Sequence, residues 1–113
     1  PLAHWTWHPD GFLRKMGVLD FAGGTVVHLS AGCAAFVGAW FLKRRQSHLA
    51  QETHNPANIP FVLLGTGMLW FGWFGFNAGS ALSASGLAVL AFATTNTASA
   101  SAALSWIFFD AIR

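Results

Sequence analysis

Residues 17–42 read GVLDFAGGTVVHLSAGCAAFVGAWFL, and Asp20 and His28 are the only acidic or basic side chains among them. At a rise of about 1.5 Å per residue, roughly 20 residues cross the apolar core of a bilayer, which is about 30 Å thick. Three basic residues, Lys43 to Arg45, follow directly and would stop the helix at the membrane surface. The segment therefore predicts a transmembrane helix.

Two more apolar segments follow this one. Residues 58–82, NIPFVLLGTGMLWFGWFGFNAGSAL, contain no charged side chain, and residues 84–112 are rich in Ala, Ser and Thr. The remaining residues predict an outer interfacial loop over 1–16 and a polar loop over 43–57. We therefore predict a single all-α domain over residues 1–113, which is a polytopic transmembrane bundle with spans at 17–42, 58–82 and 84–112.

The overall composition supports a membrane protein. The chain is 54% hydrophobic and 9% charged, whereas ordinary soluble domains carry about 25% charged residues. A net charge of +2 is too small to indicate a nucleic-acid partner, and one cysteine, Cys33, excludes an internal disulfide. Both ends look cut, because the chain starts at Pro1 without Met and stops at Arg113 directly after an apolar run. We therefore expect a piece of a longer protein.

The basic residues predict an orientation in the cell membrane. The loop after the first span holds three basic residues and Arg113 falls on the same side, whereas Arg14 and Lys15 lie on the opposite side. Basic residues favour the cytoplasmic side. The expected product is a multi-pass cell-membrane protein in which residues 43–57 are cytoplasmic.

His28 is the first candidate functional residue. It follows Val18, where the predicted helix starts, by ten residues, so we expect it about 15 Å down the helix and near the middle of the bilayer. A polar side chain at that depth marks a functional site by default. Its imidazole could relay a proton, ligate a metal or haem, or line a pore. The alternative is a neutral histidine that hydrogen-bonds to a neighbouring helix.

Asp20 lies at the outer end of the same predicted helix, two turns from His28. It can cap the helix through free backbone N–H groups, or attract a cation, and these roles are compatible. The other histidines (His4, His8, His48 and His54) fall in the loops, and their spacing predicts no metal site. We expect neither a metal nor another cofactor. A membrane cytochrome with His28 as haem ligand would need a second axial ligand.

Three runs in this sequence resemble the ammonium transporters of the Amt/Mep/Rh group, on the Amt side. They are DFAGGTVVH at residues 20–28, residues 58–82 as quoted above, and TTNTASASAALSW at residues 94–106. The resemblance covers nearly the whole chain in order. It implies a homotrimer with one pore per subunit and eleven membrane helices, of which this chain would supply the fifth to the seventh. It also makes a regulatory PII-type protein a candidate partner on the cytoplasmic side.

The same resemblance implies roles for individual residues. His28 resembles the first of two pore histidines and Phe76 the lower of two gating phenylalanines, while Leu69 and Trp73 resemble pore-wall residues. Trp7 and Ser80 resemble members of an outer ammonium recruitment site, and Asp20 resembles the acidic residue near the entrance. The loop from Trp7 to Asp20 is one residue longer than in some members, so Trp5 stays an alternative to Trp7. The second histidine and the upper phenylalanine lie in segments outside this chain.

These roles predict transport rather than an enzymatic activity. Ammonium would be recruited outside by aromatic faces, a hydroxyl and a nearby carboxylate, and would then be deprotonated. Neutral ammonia would pass along the histidines, because a bare ion is costly to move into an apolar pore. The alternative is an ammonium sensor, in which the same membrane domain drives a signalling domain.

Overall fold

The computed structural model describes residues 1–53 and 55–113. Predictions that concern His54 lie outside the described residues. The chain divides into two compact units, Pro1–Ala57 and Asn58–Arg113. The described residues contain helices and turns but no strand, so the all-α prediction is confirmed.

The first unit begins with two short helices where the sequence predicted a loop. They are α1, Leu2–Trp7, and α2, Phe12–Lys15. Gly11 joins them, and a Cβ at this glycine would lie 2.3 Å from the carbonyl oxygen of Trp5. The absence of a side chain therefore lets α2 begin directly against the end of α1. Within the predicted polar loop, residues Gln46–Leu49 form one further helical turn, α4.

The first spanning helix begins at Gly24, seven residues later than the predicted start at residue 17. It opens with a π-helical stretch, Gly24–Leu29, and continues as α3, Ser30–Leu42. Gly23 precedes it with a φ of 100°, a left-handed conformation that interrupts helical geometry. The predicted distance of about 15 Å from the helix start to His28 is therefore wrong. His28 is the fifth residue of the helix, or about 6 Å from its start.

The second unit is a pair of consecutive helices. Helix α5, Ile59–Ala78, is capped by the Asn58 side chain, which accepts a hydrogen bond from the Phe61 N–H at 3.1 Å. A 3-10 turn, Gly79–Ala81, ends it. Helix α6, Gly86–Ala111, follows with Ser85 as its N-cap. Both spans agree with the predicted ranges to within a few residues.

Helices α5 and α6 pack through side chains near the end of α5. The rings of Phe74 and Phe92 stack with their centroids 4.1 Å apart. Gly75 and Gly79 form a GxxxG pair, yet a Cβ at either would meet no atom within 4 Å. Small residues of this kind allow another helix to approach closely.

Within the described residues, three helices are long and apolar enough to cross a membrane: Gly24–Leu42, Ile59–Ala81 and Gly86–Ala111. None of the apolar side chains among the described residues is buried, and the buried polar side chains are Thr6 and Thr95. Apolar surfaces on the outside of hydrogen-bonded helices are what a lipid environment requires. The prediction of three spans is confirmed.

Candidate functional site

In the first unit, the end of α1 is tied to the segment before the first span. The Trp7 Nε1–H donates a hydrogen bond to the Asp20 carbonyl oxygen at 2.9 Å, and the Arg14 guanidinium donates to the Trp7 carbonyl at 3.3 Å. Two of the predicted site residues, Trp7 and Asp20, are thus brought together. Trp5, the alternative to Trp7, instead contacts Phe12, with ring centroids 5.4 Å apart.

The Asp20 carboxylate caps the first spanning helix. Its Oδ1 accepts a hydrogen bond from the Gly23 N–H at 2.5 Å, and its Oδ2 accepts from the N–H groups of Thr25 at 2.8 Å and Val26 at 3.0 Å. These are the amide groups that a helix start leaves without intrahelical partners. The capping role is therefore observed, although Asp20 precedes the helix rather than lying within it, so it does not share a helical face with His28.

Asp20 carries a negative charge at neutral pH. Partial burial raises the pKa of its carboxyl, but the hydrogen bonds from backbone amides, that of Val26 foremost, outweigh this effect. The pKa consequently lies below the ordinary value of 3.8. The charge stands at the N-terminal end of a helix, where the helix dipole favours an anion.

His28 occupies the π-helical stretch one turn after this cap. Its backbone N–H and that of Val27 both donate to the Gly23 carbonyl oxygen, at 2.9 and 2.8 Å. A shared acceptor of this kind belongs to the wider turn of a π-helix, which recurs at functional sites. The imidazole is exposed on the unit's surface. The Asp20 cap and Gly23 thus fix where His28 enters the helix.

In the second unit, the predicted pore-wall and gate residues lie on one stretch of α5. The rings of Trp73 and Phe76 are in contact, with centroids 5.2 Å apart and an angle of 36° between their planes. Leu69 and Trp73 lie along the same shallow groove between α5 and α6, whose lining comprises Thr66, Leu69, Trp70, Trp73, Ser99 and Ala103. The structure therefore brings these three predicted residues to neighbouring positions on α5.

Ser80 lies in the 3-10 turn that follows. Its hydroxyl donates a hydrogen bond to the Phe76 carbonyl oxygen at 2.7 Å. Because this bond uses the hydroxyl proton, the lone pairs of the Ser80 oxygen are the groups left to meet a ligand. The turn can therefore offer an acceptor to a hydrogen-bond donor close to the Phe76 carbonyl group.

Some polar residues outside the predicted site also have identifiable partners. Thr95 of α6 accepts a hydrogen bond from the Asn77 amide of α5 at 2.8 Å. Thr94 instead donates to the Leu90 carbonyl of its own helix at 2.8 Å. The rings of His4 and His8 stack with centroids 4.3 Å apart. Among the described residues, no group of three potential metal ligands is present.

Comparison with known proteins identifies the family. The model of the Ammonium Transporter Family matches residues 1–113. An ammonium transporter of Aquifex aeolicus is 55% identical over 97% of the chain, and ammonium transporter Amt1 of Archaeoglobus fulgidus is 46% identical over all of it. Ammonium transporter 1 of Schizosaccharomyces pombe is 44% identical over 97%.

The chain spans about a quarter of the length of these relatives: 25%, 28% and 22%, in the order given. No solved structure gives a significant match. The relatives are named as transporters, in agreement with the expectation of a transport protein rather than an enzyme. The three helices of spanning length and the family match together identify the chain as part of a multi-pass membrane protein. The chain belongs to the ammonium transporter family.

Proposed function

We propose that the full-length protein carrying this chain moves ammonium, or ammonia derived from it, across the cell membrane. The observation that carries this proposal is the family match over all 113 residues. Three helices of spanning length and a set of polar groups near their ends support it. The proposal concerns the whole protein, of which this chain would form one part of a pore.

On the basis of the family resemblance, Trp7 and Ser80 are each proposed to take part in binding ammonium on the outer side. Ammonium has only donors, and the Ser80 oxygen has free lone pairs because its proton is bonded to the Phe76 carbonyl. The Trp7 indole is held by its bond to the Asp20 carbonyl, so that a fixed aromatic face is available for a cation–π interaction. Both groups favour a cation that can donate hydrogen bonds.

Asp20 is proposed to act on the cation through its charge rather than by direct contact. Both of its carboxylate oxygens already accept hydrogen bonds from backbone amides. Its negative charge nevertheless raises the local concentration of cations near the entrance. The same carboxylate holds the helix start that carries His28.

The pore is proposed to accept the neutral molecule. Moving a bare ion into an apolar passage is far more costly than moving ammonia, so ammonium gives up its proton after recruitment. Phe76 would gate this passage, Leu69 and Trp73 would form its wall, and His28 would offer a nitrogen to the passing molecule. Potassium has no proton to release and would be rejected.

The assembly remains a proposal drawn from the family resemblance. We propose a homotrimeric channel-like transporter with a PII-type regulator on its cytoplasmic side. The sensing alternative stays a prediction, which a signalling domain joined to this membrane domain would support.

Transport can be tested in proteoliposomes that contain the purified full-length protein. We expect an inward ammonium gradient to produce ammonium-dependent uptake or current that an equal potassium gradient does not produce. Liposomes without protein supply the baseline. Equal responses to ammonium and potassium, or no response above that baseline from protein that is folded and inserted, would refute the proposed function.

A further inference from the structure

One hydrogen bond between side chains joins α5 to α6 near the proposed outer site. The Asn77 Nδ2–H donates to the Thr95 Oγ1 at 2.8 Å. The Thr95 hydroxyl donates in turn to the Ala91 carbonyl oxygen of its own helix at 2.6 Å. Thr95 is only 7% exposed, so this chain of hydrogen bonds lies inside the helix pair. The Thr95 oxygen is thus oriented as a fixed acceptor for Asn77.

The Asn77–Thr95 hydrogen bond holds α5 at its last turn, next to Phe76 and Ser80 of the proposed site. Asn77 directly follows Phe76, and Ser80 lies three residues further on. Ser80 is itself bonded to the Phe76 carbonyl. A rotation or shift of this last turn of α5 would therefore move the Phe76 ring and the Ser80 hydroxyl together.

This turn also lies beside Phe92 of α6, across an apolar groove that Gly75, Ala78 and Gly79 help to line. Gly75 and Gly79 flank Asn77 in the sequence and present no side chain, and a Cβ at either position would meet open space. The Phe74–Phe92 stack holds the two helices together, but an apolar contact leaves more freedom of rotation than a directional hydrogen bond. The hydrogen bond between Asn77 and Thr95 therefore fixes the rotation of α5 about its own axis, which the Phe74–Phe92 stack alone does not fix.

We propose that Asn77 and Thr95 are positioning residues for ammonium recognition: their hydrogen bond sets the orientation of Phe76 and Ser80. Neither residue contacts the ion in this account. The inference rests on the proposed function, because it assigns these residues a role in ammonium binding at the same site.

The chain offers a matched pair of variants to test this role. Thr95→Val keeps the shape of the side chain but removes the acceptor for Asn77. Thr94→Val makes the same change at the adjacent residue, whose hydroxyl donates to the Leu90 and Ala91 carbonyls of its own helix. Thr95→Ser keeps the hydroxyl and should rescue the function.

The readout is ammonium-dependent transport by the full-length protein, divided into KM and kcat. For Thr95→Val we expect KM to rise about three- to tenfold with kcat changed less than twofold, the size expected for one such bond. Thr94→Val and Thr95→Ser should stay within about twofold of wild type in both constants. An equal rise in KM for Thr94→Val, or a rise for Thr95→Ser as large as for Thr95→Val, would overturn the proposal.

A double-mutant cycle keeps the inference testable should Thr95→Val insert poorly. Asn77→Leu removes the donor from the other side, so it should raise KM by a similar factor. The double variant should be no worse than either single variant, because both changes remove one bond. Multiplicative effects on KM would contradict the inference. Failure of the wild type to transport ammonium would instead refute the proposed function, whereas wild-type transport with an unchanged KM in Asn77→Leu refutes the positioning role alone.

Discussion

Asp20 was predicted from the sequence to cap a helix, to attract a cation, or to do both. Its carboxylate accepts hydrogen bonds from the amides of Gly23, Thr25 and Val26, and it stays ionised because these bonds hold its pKa below the ordinary value. Helix capping and the proposed attraction of a cation would therefore both depend on the Asp20 carboxylate. A substitution at Asp20 should therefore alter helix capping and cation attraction together. The two effects can be distinguished by measuring stability and transport on the same variants.

Asp20→Asn should separate the cap from the charge. Asn has one acceptor oxygen, which can keep the hydrogen bonds of Thr25 and Val26 but not that of Gly23, whereas Ala keeps none of the three and should cost about 1 kcal/mol of stability or more. We expect Asp20→Ala to lower the thermal midpoint of the detergent-solubilised full-length protein more than Asp20→Asn does. If the charge recruits ammonium, Asp20→Asn should still raise the KM for transport. A normal KM in a stable Asp20→Asn variant would leave capping as the sole role.

The pH dependence of stability follows from the lowered pKa of Asp20. A carboxyl whose pKa is lower in the folded state contributes stability above its unfolded value of 3.8, and this contribution is lost as the pH falls through the folded pKa. Between about pH 5 and pH 3, the thermal midpoint of the wild type should therefore fall further than that of Asp20→Asn. Parallel curves for the two proteins would contradict this assignment.

Trp7 and Trp5 can be distinguished by removing one indole N–H at a time. Trp7→Phe loses the hydrogen bond to the Asp20 carbonyl and should raise the KM for ammonium about threefold or more. Trp5→Phe is the matched control, because the Trp5 contact with Phe12 is between rings and survives the change. The opposite ranking of the two variants would assign the recruitment role to Trp5.

At the scale of elements, the sequence predicted the three spans well but missed the start of the first. Length and apolar composition identify a spanning helix, and they did so for Ile59–Ala81 and Gly86–Ala111. Residues 17–23 are also mostly apolar, so composition did not distinguish them from the helix. The distinction came from the positive φ of Gly23 and from hydrogen bonds to Asp20, neither of which leaves a hydropathy signal.

In the candidate site, too, the sequence predicted which residues matter but not which groups they contact. The position of His28 in an apolar segment identified it as a candidate, and family resemblance supplied Trp7 and Ser80. The structure then added the hydrogen-bond partners of Trp7 and Ser80. The bond of Asn77 to Thr95 joins residues on two helices, and no pattern within one helix predicts which threonine faces the amide. Pairings of this kind require coordinates.

Gly23 should be essential to the start of the first spanning helix. Its φ of 100° is costly for a residue with a side chain, and an added Cβ would lie 2.7 Å from the Val27 Cγ2. We expect Gly23→Ala to destabilise the full-length protein by at least about 1 kcal/mol. Gly24→Ala is the matched control, since a Cβ there meets open space. Equal thermal midpoints for the two variants would show that the capped turn is not restrictive.

At the scale of the whole molecule, the basic residues predict the orientation in the membrane, with residues 43–57 on the cytoplasmic side. Single cysteines can report it in the full-length protein after Cys33 and any other native cysteine are replaced by Ala. Ser83→Cys, in the turn between α5 and α6, should react with a membrane-impermeant thiol reagent added outside intact cells. Ser47→Cys, in the loop over residues 43–57, should react only after permeabilisation. The reverse pattern would invert the assigned orientation.

The central claim is that His28 lines a pore that admits ammonia and rejects potassium. The most direct measurement is the ratio of ammonium to potassium transport by the full-length protein and its His28→Ala variant, with the proteins reconstituted at equal density. We predict a high ratio for the wild type and a ratio at least about tenfold lower for the variant, because the site that requires a proton-releasing substrate is lost. Transport by His28→Ala at an unchanged ratio would contradict the account.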